Sequence, residues 1–211
     1  MDGSNRGDGL TFSIDATVTR AETTRATLIA AARAGFATAG YAATSTTDVV
    51  TLASITRGAL YHHFADKKDL FEAVFREAAH ELNLKAQAST RSLSGDTWRQ
   101  LGVAFRNYLR LVSEDPGLQQ ILLVDGPAVL GWRRWRDLQS GYVLAGTVTT
   151  LEMLMDQGVI ARRAPEPLAH LVLAALNDAA LSIAHGADAD AAGDALAFLV
   201  EGLRHTSPPP R

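Results

Sequence analysis

Apolar residues recur at intervals of three and four along most of this chain, and that spacing constrains the fold more than any other feature. Within residues 23–40, for example, Leu28, Ala32 and Phe36 fall on one face of a helix that Gly40 is predicted to end. The strict alternation typical of half-buried strands is scarce. The sequence therefore predicts an all-α protein of about nine helices.

Polar and helix-breaking residues divide the chain into two helical domains and two tails. The predicted organisation is a tail over 1–19 without regular structure, a three-helix domain over 20–68 continued by a fourth helix over 67–88, a second helical domain over 89–206, and a tail over 207–211. Within the second domain, one short helix is predicted to end near Gly126-Pro127, and one long helix is predicted over 131–157.

Composition excludes several classes of protein. The 211 residues include no cysteine, which excludes disulfide scaffolds, thiolate metal sites and cysteine nucleophiles. No run of eighteen uncharged apolar residues suggests a membrane span, and the first residues do not resemble a secretory signal. The expected location is the cytoplasm.

Charge is distributed unevenly along the chain. The net charge is −3, yet residues 20–68 contain six Lys or Arg against three Asp or Glu and carry +3. Binding of nucleic acid depends on where charge sits rather than on its sum. A local basic face on the first domain is therefore compatible with an acidic chain.

Two short helices, over 48–53 and 56–62, are predicted to form a helix-turn-helix, with Thr56 as the cap of the second and Asp66 as the cap of the helix that follows. The residues expected to pack between them are Val49, Ala53, Ile55 and Leu60. Such a unit places its second helix in the major groove of DNA. The predicted groove-facing residues are Thr56, Arg57, Gly58, Ala59, Tyr61 and His62, and the predicted phosphate contacts are Tyr61, His63 and Lys67.

The stretches GYAATSTTDVV and GALYHHFADKKDLF resemble the DNA-binding domain of the tetracycline-repressor (TetR) family. The resemblance covers about 24–74, with matching residues at Phe36, Gly40, Tyr41, Thr44, Asp48, Gly58, Leu60, Tyr61, Phe64, Lys67 and Leu70. It implies a homodimeric regulator whose second domain binds a small effector. It also implies that Thr46 and Thr47 contact DNA.

Two positions in the turn depart from the family pattern. The family usually has glycine where this chain has Ser54, and a small residue where it has Val50. A serine forced to positive φ costs on the order of 1 kcal/mol, and Val50 is expected to push the two short helices slightly apart.

The resemblance also implies an effector pocket and a dimer interface in the second domain. The expected pocket residues are Phe105, Tyr108, Leu109, Leu122, Trp132, Met153, Leu173 and Asn177. The expected interface lies on the last two helices, with Leu168, Leu171, Ala175, Leu196, Leu199 and Leu203. Packing within one chain would explain the same apolar positions.

The run Gly131-Trp132-Arg133-Arg134-Trp135-Arg136 has two interpretations. Arginine and tryptophan together can hold an anionic or aromatic ligand. The favoured interpretation places Trp132 and Trp135 in the core and the arginines in solvent. The adjacent His62 and His63 point about 100° apart on a helix, so no metal site and no cofactor are predicted.

These features predict a cytoplasmic transcriptional regulator, a repressor that binds a palindromic operator as a homodimer and is released by a small molecule. One alternative is a DNA-bound co-regulator that answers to a protein partner. Another is a helical enzyme, but no paired carboxylates, Ser-His-acid set or phosphate-binding loop supports it. The protein is therefore predicted not to be an enzyme.

Overall fold

The computed structural model describes residues 8–90, 93 and 95–204, with side chains from Arg20 onward. The helices are α1 (Asp8–Ala43), α2 (Thr46–Ala53), α3 (Arg57–His63), α4 (Lys67–Ala88), α5 (Thr97–Glu114), α6 (Pro116–Gln119), α7 (Gly126–Leu130), α8 (Trp132–Gly141), α9 (Leu144–Asp156), α10 (Pro165–Ala184) and α11 (Ala189–Glu201). A π-helical segment, Gln120–Asp125, joins α6 to α7. The predicted all-α class is confirmed.

The chain separates into two compact units, Met1–Val74 and Phe75–Arg211. The division falls within α4, the helix that the sequence predicts to link the two domains. Residues 1–7 of the predicted N-terminal tail and residues 205–211 at the other end lie outside the described residues.

The first helix differs from the sequence prediction at its start. The structure has helical backbone from Asp8, where the sequence predicts a tail without regular structure. Leu10, Ile14 and Val18 recur every four residues, and no proline follows them before Gly40, so the sequence contains no signal that stops a helix there. At Gly40 the backbone leaves helical geometry with φ 78° and ψ 167°, which confirms the predicted break.

The short helices of the first unit begin at side-chain caps. Ser45 forms a capping box with Asp48: the Ser45 hydroxyl oxygen accepts from the Asp48 amide, and the Asp48 carboxylate accepts from the Ser45 amide at 2.8 Å. Thr56 caps α3, and Asp66 caps α4 by accepting from the Asp69 amide at 2.7 Å. These caps fix where each helix starts, and those at Thr56 and Asp66 are the ones that the sequence predicts.

The core of the first unit is built on α1, α3 and α4. Leu28, Phe36, Leu60 and Phe71 are completely buried. Phe71 packs edge-on against both Phe36 and Tyr41, with ring centroids 5.3 and 5.2 Å away. Of the residues predicted to pack between α2 and α3, Val49 and Leu60 are buried, and Ala53 and Ile55 are half-buried.

The prediction of one long helix over 131–157 is wrong. The chain forms two helices there, α8 and α9, with a break at Tyr142 and Val143. Ser140 and Gly141 end α8, and both residue types favour a helix less than alanine does. Near Gly126-Pro127, where the sequence predicts a helix end, the π-helical segment ends at Asp125 and the chain continues directly into α7. Proline is tolerated in the first turn of a helix, and Pro127 occupies that place in α7.

The two tryptophans of α8 have different environments. Trp135 is buried and donates from Nε1 to the Leu122 carbonyl oxygen at 2.7 Å. Its ring lies so close to Gly126 that a Cβ there would be 2.8 Å from Trp135 Cδ1. Trp132 stacks on Trp135 with centroids 4.8 Å apart but remains 60% exposed, so the predicted burial of both rings is wrong for Trp132.

The helix α10 is long and apolar enough to cross a membrane by length and composition alone, with a mean hydropathy of 1.4. It packs, however, against α5, α9 and α11. Ala169, Leu173 and Leu176 are buried in these contacts, whereas Leu171 faces outward. Packing within the second unit accounts for one apolar face of the helix.

Candidate functional site

The turn between α2 and α3 brings the two helices together through a left-handed residue. Ser54 has φ 54° and ψ 38°, as its position predicts, and it is the one residue other than glycine with positive φ in the described part of the chain. The Ser54 amide bonds to the Thr51 carbonyl at 3.2 Å, and the Ile55 amide reaches the Val50 carbonyl at 3.0 Å. The turn therefore closes with Val50 in place.

The helix α3 presents one face to solvent and buries the other. Leu60 and Phe64, which follows the helix, are buried, whereas Arg57, Tyr61 and His62 are exposed. The two further predicted contacts Ala59 and His63 are half-buried, and Thr56 is exposed but occupied as the cap. The face of α3 opposite the core thus carries a long hydrogen-bond donor, the Arg57 side chain, at the start of the helix.

Gly58 lies on this exposed face with open space around it. A Cβ added there would meet no heavy atom within 4 Å. The fold therefore does not need glycine at this position, and helix propensity disfavours it. Its small size instead permits another molecule to approach the backbone closely.

Three of the predicted DNA contacts interact with one another. Hydrogen bonds from Thr46 and Arg57 hold the pKa of the Tyr61 hydroxyl below its usual value. The Arg57 guanidinium also lies 5.6 Å from the centroid of the Tyr61 ring. The start of α2 and the exposed face of α3 therefore form one polar surface. Thr47, next to Thr46, is exposed.

The start of α4 adds a positive charge in a fixed position. The Lys67 ammonium lies 4.1 Å from the centroid of the Tyr41 ring. Burial, followed by the Asp66 carboxylate, raises the pKa of Tyr41, so its ring is an uncharged platform. Lys67 and Lys68 stand at the first residues of α4, where the helix dipole also favours anions.

The second unit contains a cavity of about 350 Å³ between α4, α5, α9 and α10. Of the eight residues expected in an effector pocket, the structure brings Phe105, Tyr108 and Leu173 to its wall. The full lining is Asn83, Ala86, Gln87, Thr90, Gln100, Leu101, Ala104, Phe105, Tyr108, Val143, Gly146, Thr147, Thr150, Leu173 and Leu176.

The other expected pocket residues lie elsewhere. Leu109 is buried beside a smaller cleft between α5 and α11, and Leu122 is buried against Trp135. Met153 is exposed, Asn177 is half-buried outside the lining, and Trp132 borders a surface groove on α8. Helical periodicity identifies apolar faces but does not tell which of them encloses a space, because every such face is also typical of a core.

Sequence reasoning missed the polar side of this cavity. Asn83 and Gln87 are four residues apart on α4, and Thr147 and Thr150 are three apart on α9. This spacing puts each pair on one helix face. On α9, which is mostly apolar, this pairing was the available signal, whereas α4 carries many charged residues and its polar pair does not stand out.

The last two helices expose a group of large apolar side chains. Phe198 is 85% exposed, Leu171 69% and Leu199 59%. Leu168, Ala175 and Leu203 are half-buried, whereas Leu196, also expected at an interface, is buried within its own chain. We call Leu171, Phe198 and Leu199 the apolar patch.

Comparison with known proteins places both units. Residues 28–74 match the family described as bacterial regulatory proteins, tetR family, and residues 98–203 match the one described as tetracyclin repressor-like, C-terminal domain. The chain belongs to the TetR family. Members of this family are DNA-binding transcriptional regulators and not enzymes.

Solved TetR-family structures share this fold. A TetR-family transcriptional regulator from Pectobacterium atrosepticum is 37% identical, with a TM-score of 0.76 over 92% of this chain and 98% of that one. The structure of RolR in complex with resorcinol has a TM-score of 0.73 over 90% and 91% of the two chains. At 17% identity, RolR shows the fold alone.

A curated TetR-family relative is the probable acrEF/envCD operon repressor of Escherichia coli K12. It is 32% identical over 101 residues, which are 48% of this chain and 46% of the repressor. The chain thus matches about half the length of that protein.

Ser54, where the TetR family usually has glycine, adopts the positive φ that glycine would adopt without strain.

Proposed function

We propose that the protein binds a specific DNA sequence by inserting α3 into the major groove. The observation that carries this proposal is the exposed face of α3, where Arg57 and Tyr61 stand beside the uncrowded Gly58. Arginine can bond two acceptors of guanine, and a glycine permits close approach to base edges. Tyr61, His63 and Lys67 are assigned to the phosphate backbone, and Thr46 and Thr47 to further DNA contacts at the start of α2.

The proposed DNA-binding species is a homodimer. The apolar patch on α10 and α11, two helices that pack against each other, supports this, because large exposed apolar side chains are typical of surfaces that another protein covers. A symmetric dimer would read a palindrome whose half-sites lie about 34–36 Å apart or a multiple of that distance. The site of action is then the cytoplasm, where bacterial DNA lies.

The proposed regulatory step is release from DNA by a small molecule in the cavity of the second unit. A ligand that binds better to a dimer with the wrong spacing of its two α3 helices would shift the population away from DNA. The repressor relative and the resorcinol complex of RolR support the two halves of this proposal, repression and ligand response.

The alternative is a co-regulator that answers to a protein partner. A filled second unit would favour it. The cavity of about 350 Å³ favours a small molecule instead, because ligand sites in proteins commonly measure about 300–1,000 Å³.

Selection of bound fragments from randomised duplex DNA by the purified protein tests the proposal. Recovery of one inverted repeat, bound by two chains per duplex, is the expected result. Recovery of no shared motif, with binding that disappears as salt rises, would contradict sequence-specific binding and leave only electrostatic attraction.

A further inference from the structure

The wall of the cavity in the second unit carries no charged side chain among its described lining residues. It has two kinds of surface. Asn83, Gln87, Gln100 and the threonines supply polar atoms, and Leu101, Phe105, Leu173 and Leu176 supply apolar ones. An ionised ligand would lose its hydration here without gaining a counter-charge, which costs several kcal/mol. The lining therefore selects an uncharged molecule.

The threonine hydroxyl groups of the wall can accept hydrogen bonds but have no hydrogen left to donate. Thr147 donates to the Val143 carbonyl at 2.9 Å, Thr150 to the Gly146 carbonyl at 2.8 Å, and Thr90 to the Gln87 carbonyl at 2.8 Å. A hydroxyl has one hydrogen and two lone pairs. Each threonine oxygen thus offers only lone pairs to a molecule in the cavity.

Two of the three amides of the wall are similarly engaged, and the third, Gln87, is exposed. Asn83, which is buried, donates from Nδ2 to the Ala79 carbonyl at 2.9 Å, and Gln100 donates from Nε2 to the Leu93 carbonyl. One hydrogen of each amide is therefore committed to the backbone, while its oxygen keeps its acceptor capacity. The wall thus offers acceptors at every threonine and amide oxygen and a remaining N–H at Asn83 and at Gln100, so a ligand hydroxyl, which both donates and accepts, can match it.

The apolar part of the wall includes two aromatic rings. Phe105 and Tyr108 are three residues apart on α5, both are buried, and both border the cavity. Aromatic rings favour stacked or edge-on contact with another ring. The preferred ligand body is therefore a ring system, and its donors must point to the threonines of α9.

We infer that the effector is an uncharged ring compound that carries hydroxyl donors, of the phenol or cyclic alcohol class. This assignment rests on the proposed ligand-responsive function and specifies the chemistry of its site. The ring occupies the space beside Phe105 and Tyr108, and the hydroxyl donates to Thr147 and Thr150.

Three probes of nearly equal shape test the assignment by calorimetry on the full-length protein. β-Naphthol is neutral at pH 7 and has one donor, its methyl ether has none, and β-naphthoate replaces the donor with a negative charge. The expected result is that naphthol binds at least about tenfold more tightly than either analogue, as expected for a donor whose loss leaves acceptors unpaired.

A double substitution identifies the acceptors. Thr147→Val with Thr150→Val keeps the shape of both side chains and removes both oxygens, so naphthol affinity should fall about tenfold. Thr149→Val is the matched control: Thr149 makes the same bond to the carbonyl four residues earlier, but it is exposed and does not line the cavity. It should bind naphthol as the wild type does.

Each outcome separates the ligand class from the wider function. Equal or tighter binding of the ether or the naphthoate to the wild type would overturn the class and leave the cavity as a ligand site. Binding of none of the three with a Kd of about 1 mM or below would overturn both the class and the cavity. DNA selection would still succeed in either case, so failure of DNA binding remains a distinct result.

Discussion

The Lys67 ammonium is held 4.1 Å from the centroid of the Tyr41 ring, a cation–π contact that joins the start of α4 to the end of α1. The contact restrains a long, flexible side chain at the helix terminus assigned to the phosphate backbone. A restrained cation loses less conformational freedom on binding than a mobile one.

Replacement of Lys67 by alanine should weaken binding to specific and unrelated DNA alike. One fewer released counterion lowers the slope of log affinity against log salt by about one. Titrations of a labelled duplex over a range of salt concentrations measure this. Lys85→Ala removes an equal charge from the second unit, where Lys85 pairs with Glu81, and should leave the slope unchanged.

The Tyr41 ring can be tested separately from its hydroxyl. Tyr41→Phe keeps the platform and should retain the affinity of the wild type, whereas Tyr41→Leu should weaken binding without changing the salt slope, because Lys67 keeps its charge. Equal affinities of the Phe and Leu variants would show that the ring does not position Lys67.

Ser54 is expected to store backbone strain in the turn. Because its φ is 54°, Ser54→Gly should raise the free energy of unfolding by about 1 kcal/mol. Ser113→Gly, within the helix α5, is the control and should lower it by a few tenths of a kcal/mol. Urea unfolding measures both. A loss of stability in Ser54→Gly would contradict the strain.

Local backbone features, such as the positive φ of Ser54, can be predicted from the sequence alone. The caps at Thr56 and Asp66 and the break at Gly40 are local, since each depends on residues within one turn of a helix. The structure confirms them for that reason. The left-handed turn is equally local, because only a sharp reversal can connect two such short helices.

The second unit could be predicted less well because its features depend on distant contacts. Trp132 and Trp135 are three residues apart and fall on the same face of α8. Only Trp135, however, donates a hydrogen bond to the Leu122 carbonyl, thirteen residues away. The polar wall of the cavity likewise comes from α4 and α9, which periodicity alone describes as solvent-facing. Enclosure results from packing, and no single segment encodes it.

Gly58 should separate folding from DNA binding. Gly58→Ala should maintain or raise the free energy of unfolding, by up to about 1 kcal/mol, because alanine favours the helix and its Cβ meets open space. The same methyl should lower affinity for the selected operator about tenfold or more by crowding the base edges. Thermal unfolding and duplex titration measure the two effects.

Gly102→Ala provides the comparison for Gly58→Ala. Gly102 lies in α5 and is also unobstructed, so its alanine variant should gain stability and keep full DNA affinity. If Gly58→Ala bound the operator as tightly as Gly102→Ala, α3 would not approach bases at this position.

Tyr108 should make stability fall at alkaline pH. Burial raises the pKa of Tyr108 to about 12, against the smaller opposing effect of the adjacent Gln139 side chain. The unfolded chain has a tyrosine pKa of about 10, so it loses the proton first. The contribution is therefore complete below pH 10 and is lost as pH rises from about 10 to 12, by at most about 1.4 kcal/mol per pH unit.

Tyr108→Phe isolates this contribution. The difference in free energy of unfolding between wild type and variant should be constant near neutral pH and should shift in favour of the variant above pH 10. Urea unfolding at a series of pH values measures it. A difference that stays constant through this range would show that Tyr108 titrates normally in the folded protein.

The most direct test of α3 as the DNA reader is a second DNA selection with Arg57→Gln beside the wild type. Arg106→Gln, an exposed arginine on α5, is the control. If Arg57 reads a base pair, its variant should select the same inverted repeat with relaxed preference at one position in each half-site, corresponding to a loss of about 1–3 kcal/mol of discrimination. An unchanged motif with undiminished preference at every position would contradict the assignment of α3 to the major groove.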